Sequence, residues 1–405
     1  MSGLLKLMPV LFLALFIFSA SGQFIASINC GASDVVHDLN LITWTPDNTL
    51  ISNGDARKVP SINSLSTVLD TLRVFTSRKK NCYSIPVTQG DKVLVRASFN
   101  YGNYDGLSNP PTFDLHFDGN FWAMVKTTIR GVVMSEITYV AKGDVISVCV
   151  AQTRPGQFPF ISALEVRRLD SKIYRELDNN RALLLSSRVS FGATENLRYP
   201  YDTYDRIWGY PAALLDTVVR NDLSSVDTTK APNNPPSEVF QTAITTDNSS
   251  EFGILLATVT PDNPIYANMY FSEVSSLSFS KRVSRIYYLG PRSDTDRWLT
   301  LPFSPPYGSV LVQYLYNYTV NTTRQIYMCR TQDYYLQPLI NAMELFQISE
   351  VLTDGTNSND VIALSLLQSK FDVLRGWSGD PCLPAPYSWD WLNCSNDATP
   401  RVISL

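Results

Sequence analysis

Histidine is scarce in this 405-residue sequence, with only His37 and His116. None of the six cysteines forms a CxxC pair, so neither a zinc site nor any other metal centre is expected. GxSxG, HExxH, a phosphate-cradling glycine loop and the kinase motifs are all missing, which removes the common hydrolytic and phosphotransfer chemistries. A pair of carboxylates for glycoside hydrolysis is always available among 37 Asp and Glu residues. A polysaccharide hydrolase is therefore an alternative that no motif supports; the expectation is a non-enzyme with no cofactor. Basic charge is also lacking: the formal net charge is −4, which argues against nucleic acid as a partner. The one basic clump, Arg78-Lys79-Lys80, reads as a solvated loop.

Beyond the first residues no apolar run approaches the ~20 needed to cross a bilayer. The start itself has Lys6, an apolar stretch from Leu7 to Phe18, and small residues Ser19 to Gly22 before Gln23. This is the form of a signal peptide over 1–22, and it predicts a secreted chain, or a cell-surface one if a longer form carries a membrane span. An even cysteine count fits that compartment. Cys382 and Cys394, close in sequence around a Trp-rich loop, are expected to pair; the pairing of Cys30, Cys82, Cys149 and Cys329 stays open. Sequons at Asn248, Asn317, Asn321 and Asn393 are candidate glycosylation sites.

A diverged repeat sets the architecture. Pro159 to Val166 (PFISALEV) recurs as Pro338 to Leu345 (PLINAMEL), and Ile28 to Ser33 has an echo in Val189 to Thr194. The expected domains are 23–180 and 181–350, two related modules. Both read as strands: Lys92–Phe99, Thr112–Phe117, Asp144–Cys149 and Ile161–Val166 in the first, Ile265–Val274 and Val310–Tyr318 in the second. Asn53-Gly54, Asp118-Gly119 and Lys142-Gly143-Asp144 supply turns. The fold class is all-β, two antiparallel sandwiches in tandem. Arg206-Ile207-Trp208 is expected to pack where the modules meet. Residues 351–405 form a third segment: a polar linker, a helix over Asp360–Arg375 with apolar residues at i, i+3, i+4 spacing, and a cysteine-capped end. The last five residues look like one strand of a leucine-rich repeat and are expected to be loosely held.

The blocks Asn81–Val87, Leu94–Phe99 and Tyr101-Gly102-Asn103-Tyr104-Asp105-Gly106 resemble the plant malectin-like domain, as do Tyr199–Asp202 and Asp205–Trp208. Gly379-Asp380-Pro381-Cys382 through Trp391 and Cys394 is similar to the segment that joins this domain to leucine-rich repeats in receptor kinases of the symbiosis receptor kinase type. The resemblance implies tandem malectin-type sandwiches serving as an extracellular sensing domain. Its expected partners are cell-wall carbohydrate, a peptide or another receptor ectodomain, the last as co-receptor or decoy.

Aromatic faces suit the C–H faces of sugars, and carboxylates suit their hydroxyls. Tyr101, Tyr104 and Asp105 follow a strand in a glycine-containing loop, where sandwiches place recognition. With Tyr83 in the neighbouring motif, these are the candidate ligand-binding residues. After the corresponding strand of the second module, Tyr270 to Val274 runs into Ser275-Ser276, so that module is expected to lack the stacking platform.

Overall fold

The computed structural model describes residues 23–210, 217–246, 251–256, 263–276, 287–290, 299–319, 325–331 and 336–405. The chain is mostly β and divides into two compact units. The first comprises residues up to Leu169, Asp178–Ala182 and Glu350–Leu405; the second comprises Asp170–Leu177 and Leu183–Ser349. Residues 351–405, expected as a separate segment, thus belong to the first unit.

In the first unit Lys92–Phe99 is buried along its whole length because it is paired on both sides, with Val133–Val140 and with Ala163–Leu169. Phe24–Asn29 extends this sheet beyond Ala163–Leu169, and Thr43–Pro46 lies beyond it. A second sheet orders Lys80–Pro86, Val145–Ala151, Thr112–Phe117 and Asn120–Lys126. Asp118 and Gly119, at φ 42° and 74°, make the two-residue turn of the last hairpin, and that left-handed pair matches strand twist. Rings from the two sheets meet in the core, Phe99 on Phe113 at 5.5 Å and Phe117 on Tyr139 at 4.9 Å.

The second unit repeats this arrangement. Pro264–Phe271 pairs with Ala342–Ile348 and Leu311–Thr319, and Leu183–Ser190 lies outside Ala342–Ile348. The two sequence repeats fall at equal registers: Asn29 opposes Ala163, and Ser190 opposes Ala342. Ser162 Oγ accepts the Asn100 amide at 3.0 Å, while Asn341 Oδ1 accepts the Ser272 amide at 2.7 Å. Met269, Phe271, Met343 and Leu345 pack on Ile254, Leu289, Ile326 and Met328 of a further sheet. Trp208, expected between modules, is fully buried in this unit's own core, its indole bonded to Asp202 at 2.7 Å and Arg206 beside it on the same carboxylate at 2.8 Å. Glu344 accepts from Arg188, Tyr174 and Tyr270 at 2.6–2.7 Å. Burial alone would raise its pKa; Arg188, Arg206 and the two hydroxyls outweigh that and hold it below the usual range.

The helix runs Ser358–Lys370, shorter than expected, with Asn357 as its N-cap and extended backbone at Phe371. Its apolar stripe is buried in part: Leu364 and Leu367 pack on Trp377, Trp389 and Trp391, whereas Ile362 and Phe371 are exposed. This tail is fastened to the rest of its unit. Lys80 Nζ donates to the carbonyls of Asp380 and Leu383 at 2.7 and 2.6 Å, and Arg78 donates to Gly376 O while stacking over Trp377. The basic clump is therefore no solvated loop: its first and third members grip the tail. Removal from water lowers Lys80 to about 8. Gly379, at φ +74°, lies on the Cys82–Cys149 disulfide, where a Cβ would come within 2.4 Å of Cys82 Sγ. The last strand, Val402–Ser404, pairs with Asn393–Cys394, and Asp360 binds Arg401 and the Val402 amide at 2.8–2.9 Å. That end is held, contrary to expectation.

Candidate ligand-binding surface

The strand Lys92–Phe99 delivers its C-terminal end to a loop over 100–109. Asn100 anchors it, donating through Nδ2 to Leu69 O at 2.9 Å. Gly102 turns at φ 48° with Val59 so close that a Cβ would fall 2.4 Å from Val59 Cγ1. Only glycine fits there. Asn63 donates to Gly102 O at 2.9 Å, placing the short 3₁₀ turn Ser61–Asn63 against the loop.

The loop satisfies itself. Tyr101 donates its hydroxyl to Asp105 Oδ1 at 2.5 Å and accepts the Asn109 amide at 3.2 Å. Asp105 Oδ1 also takes the Leu107 amide at 3.0 Å, and Asn103 Oδ1 takes that of Ser108 at 2.7 Å. Burial, then the hydrogen bond to Asp105, pushes the Tyr101 phenol up to about 12. Beneath lies an aromatic floor: Tyr104 packs edge-on against Tyr101 and Phe160 at 5.5 and 5.7 Å, and Phe160 meets Phe99 and Phe113.

The candidate residues are brought together in part. Tyr101, Tyr104 and Asp105 share the loop, but Tyr101 is fully buried, Tyr104 is half-buried and Asp105 is exposed. Tyr83 is elsewhere in role: at 1% exposure it donates to Asp47 at 2.8 Å, and Asp47 holds Arg73 and the Gly31 amide. A ring so enclosed presents no face to a ligand, which corrects the expectation for Tyr83. The outward atoms that sequence reasoning missed are apolar: Leu107 is 72% exposed and Ile62 90% exposed. Exposure of a leucine cannot be read from one chain's pattern.

Cysteine and sequon positions complete the surface. Cys382 pairs with Cys394, and Cys82 with Cys149. Cys30 is a buried thiol whose pKa is raised by burial and then by Asp47; Cys329 stands on Gln325–Arg330 in neither bridge. Asn317 and Asn393 are exposed; Asn248 and Asn321 lie outside the described residues. Among the described residues no cluster could hold a metal, and no helix is long and apolar enough to cross a membrane.

Comparison with known proteins agrees with this architecture. A family model described as the malectin-like domain matches residues 28–348. An Arabidopsis thaliana protein of uncharacterised role is 36% identical over 338 residues, covering 82% of this chain and 66% of that protein. A putative leucine-rich repeat receptor-like serine/threonine kinase of the same plant is 32% identical over 399 residues, 94% of this chain but 44% of the kinase. The chain thus spans under half the length of that kinase. Among solved structures, the Arabidopsis ANX2 ectodomain superposes with TM-score 0.65 at 18% identity, over 80% of this chain and 96% of that one. FER, in a complex with the plant peptide RALF23 and LLG2, gives 0.63 at 16%, over 80% and 95%. With the family model covering most of the sequence, the chain belongs to the malectin-like family, and its relatives include receptor-like kinases.

Proposed function

We propose that this chain is an extracellular ligand-binding module of receptor-kinase type, built as tandem malectin-type sandwiches, that recognises a peptide or a partner ectodomain through the 100–109 loop. What carries the proposal is the loop's division of labour. Its polar groups are spent on one another, so it is preorganised, while Leu107 and the adjoining Ile62 offer apolar surface to the outside. A sugar would want an open ring face and uncommitted hydroxyl partners; the Tyr101 ring is buried and Asp105 Oδ1 is already accepting twice. Two disulfides, exposed sequons and the signal-like start support an extracellular setting, and the peptide in the FER complex supplies a precedent of the right class.

The test is biolayer interferometry of the secreted chain against RALF23 with LLG2 and against a panel of receptor ectodomains. Leu107→Asp with Ile62→Asp should weaken capture at least tenfold while leaving the melting temperature unchanged. Undiminished capture by the folded double variant would overturn the proposal.

A further inference from the structure

An edge strand presents unpaired N–H and C=O groups to any other chain, and native proteins blunt such edges with charge, proline, shortness or a cover. Several edges of this chain are blunted in that way. Asp55–Lys58 ends its three-stranded sheet and has four residues, of which Asp55, Arg57 and Lys58 are charged. Thr217–Arg220, also four residues long, ends another sheet and carries Arg220. Asn120–Lys126 ends a third and carries Lys126.

Leu311–Thr319 of the second unit is different. It runs for nine residues, pairs with Pro264–Phe271 on one side, and has no strand on the other among the described residues. Its sequence, LVQYLYNYT, holds no charge, no proline and no glycine, and Val312, Tyr314, Tyr316, Tyr318 and Thr319 are strand formers. A run of ~6–7 residues with this composition pairs readily with copies of itself. Tyr314 and Tyr316 are exposed while Leu315 between them is buried.

The register of this strand is regular from Leu311 to Tyr316 and breaks at one place. Tyr266 opposes Tyr316 and Ile265 opposes Tyr318, so Asn317 is the extra residue of a bulge. Its φ is +54°, a left-handed conformation that asparagine adopts more easily than most side chains. Asn317 is exposed, and so is Thr319 two residues on. The bulge therefore interrupts the ladder at the residue that opens the Asn317-Tyr318-Thr319 sequon. Tyr316, immediately before it, is braced edge-on by Tyr266 at 5.7 Å. The sequon at Asn393 has no such freedom: its Nδ2 donates to Ser404 Oγ at 3.0 Å, and Cys394 beside it is bridged to Cys382.

We infer that Asn317 carries an N-linked glycan whose role is to cover this edge strand and keep the chain from pairing with a second copy of itself. The inference rests on the extracellular reading above, since the transfer takes place on the secretory route. In the transfer the Asn317 amide nitrogen loses a proton and bonds to the anomeric carbon of a lipid-diphosphate-linked oligosaccharide; the bond from that carbon to the diphosphate breaks, and the lipid diphosphate leaves. Tyr314 and Tyr316 put ring surface near the attachment point, which suits the C–H faces of the first sugars. A hydrated oligosaccharide then excludes a second strand as charged residues do at Asp55–Lys58, and it leaves buried Leu315 in place.

Peptide mass spectrometry of the full chain secreted from plant cells, before and after peptide-N-glycosidase treatment, reads occupancy, and sedimentation velocity reads association. Asn317 should be modified in most molecules and the chain should be monomeric. Asn317→Gly, which keeps the left-handed backbone, and Thr319→Val, which keeps Asn317, each remove the sequon. Both should self-associate at concentrations at least tenfold lower than the wild type, and adding Tyr314→Lys to either should restore the monomer. Asn393→Gln should change nothing. A secreted chain with bare Asn317 overturns this inference alone; a chain that is never secreted overturns the extracellular reading and this inference with it. Monomeric Asn317→Gly and Thr319→Val variants, or association that survives Tyr314→Lys, would show that the glycan does not guard this edge.

Discussion

The same strand position is filled in different ways in the two units. On Lys92–Phe99, Arg96 lies between Glu136 and Glu165 of the neighbouring strands and bonds both; on Pro264–Phe271, Asn268 stands at the equivalent register opposite Tyr314 and Glu344, and Glu344 takes its cation from Arg188. A long cation between two carboxylates in one unit thus corresponds to a short amide between a tyrosine and a carboxylate in the other. In the first unit the proposed recognition surface is a loop end, whose polar groups bond one another and whose outward face is apolar.

The comparison can be broken most severely at Arg96. Arg96→Asn would copy the second unit's residue into the first, taking the cation from buried Glu136 and leaving Glu165 with Arg167 alone. Removing one member of a buried ion pair costs about 3–5 kcal/mol, so denaturant unfolding should show a loss of that order. If the variant lost under ~1 kcal/mol, the ion cluster would not be what holds this strand position in the first unit.

Next comes Gly379→Ala. A methyl group at φ +74° and 2.4 Å from Cys82 Sγ cannot be accommodated without displacing the tail from the disulfide. Overpacking of this kind costs about 1–3 kcal/mol. Limited proteolysis should then cut near residues 371–380 faster than in the wild type; an unchanged cleavage rate would mean that the tail is not seated through this glycine.

His116 gives a pH-dependent effect of intermediate size. It is buried beside Tyr387 and Phe121, with Lys80 adding positive charge, and burial first and Lys80 second lower it to about 3. An unfolded imidazole takes its proton near pH 6.5. Between those values the unfolded state binds more protons, so the stability His116 contributes is full above about 6.5 and is lost as pH falls towards 3. Compared with His116→Gln, the wild type should lose stability progressively from pH 7 to 4.5. Parallel curves would contradict the buried neutral imidazole.

The smallest effect is expected from Tyr101→Phe, which removes one hydroxyl from the loop network. A loss of about 0.5–1.5 kcal/mol is expected, with faster amide exchange at Leu107 and Asn109. Unaltered exchange would show that the loop is ordered by its aromatic floor alone.

Much of the scaffold was legible because it depends on short-range pattern. The strands Lys92–Phe99 and Thr112–Phe117 and the Asp118-Gly119 turn are local matters of side-chain type and backbone freedom. The repeated PFISALEV and PLINAMEL segments foretold the equal registers. The grouping of Tyr101, Tyr104 and Asp105 followed from five consecutive residues. What could not be read were choices made by distant partners. Lys80 meets carbonyls 300 residues away, Tyr83 is turned inward by Asp47, and Trp208 is claimed by the core of its own unit. Asn268 could have been noticed by extending the repeat alignment to the central strand, where it stands in place of Arg96. Its orphaned amide, however, exists only once Arg188 rather than residue 268 serves Glu344.

The most direct measurement is a crystal structure of the secreted chain bound to a peptide or ectodomain that it captures. The account predicts that the partner covers Leu107 and Ile62 and leaves the hydrogen bonds within the 100–109 loop in place. A partner seated elsewhere, with both side chains still exposed, would contradict it.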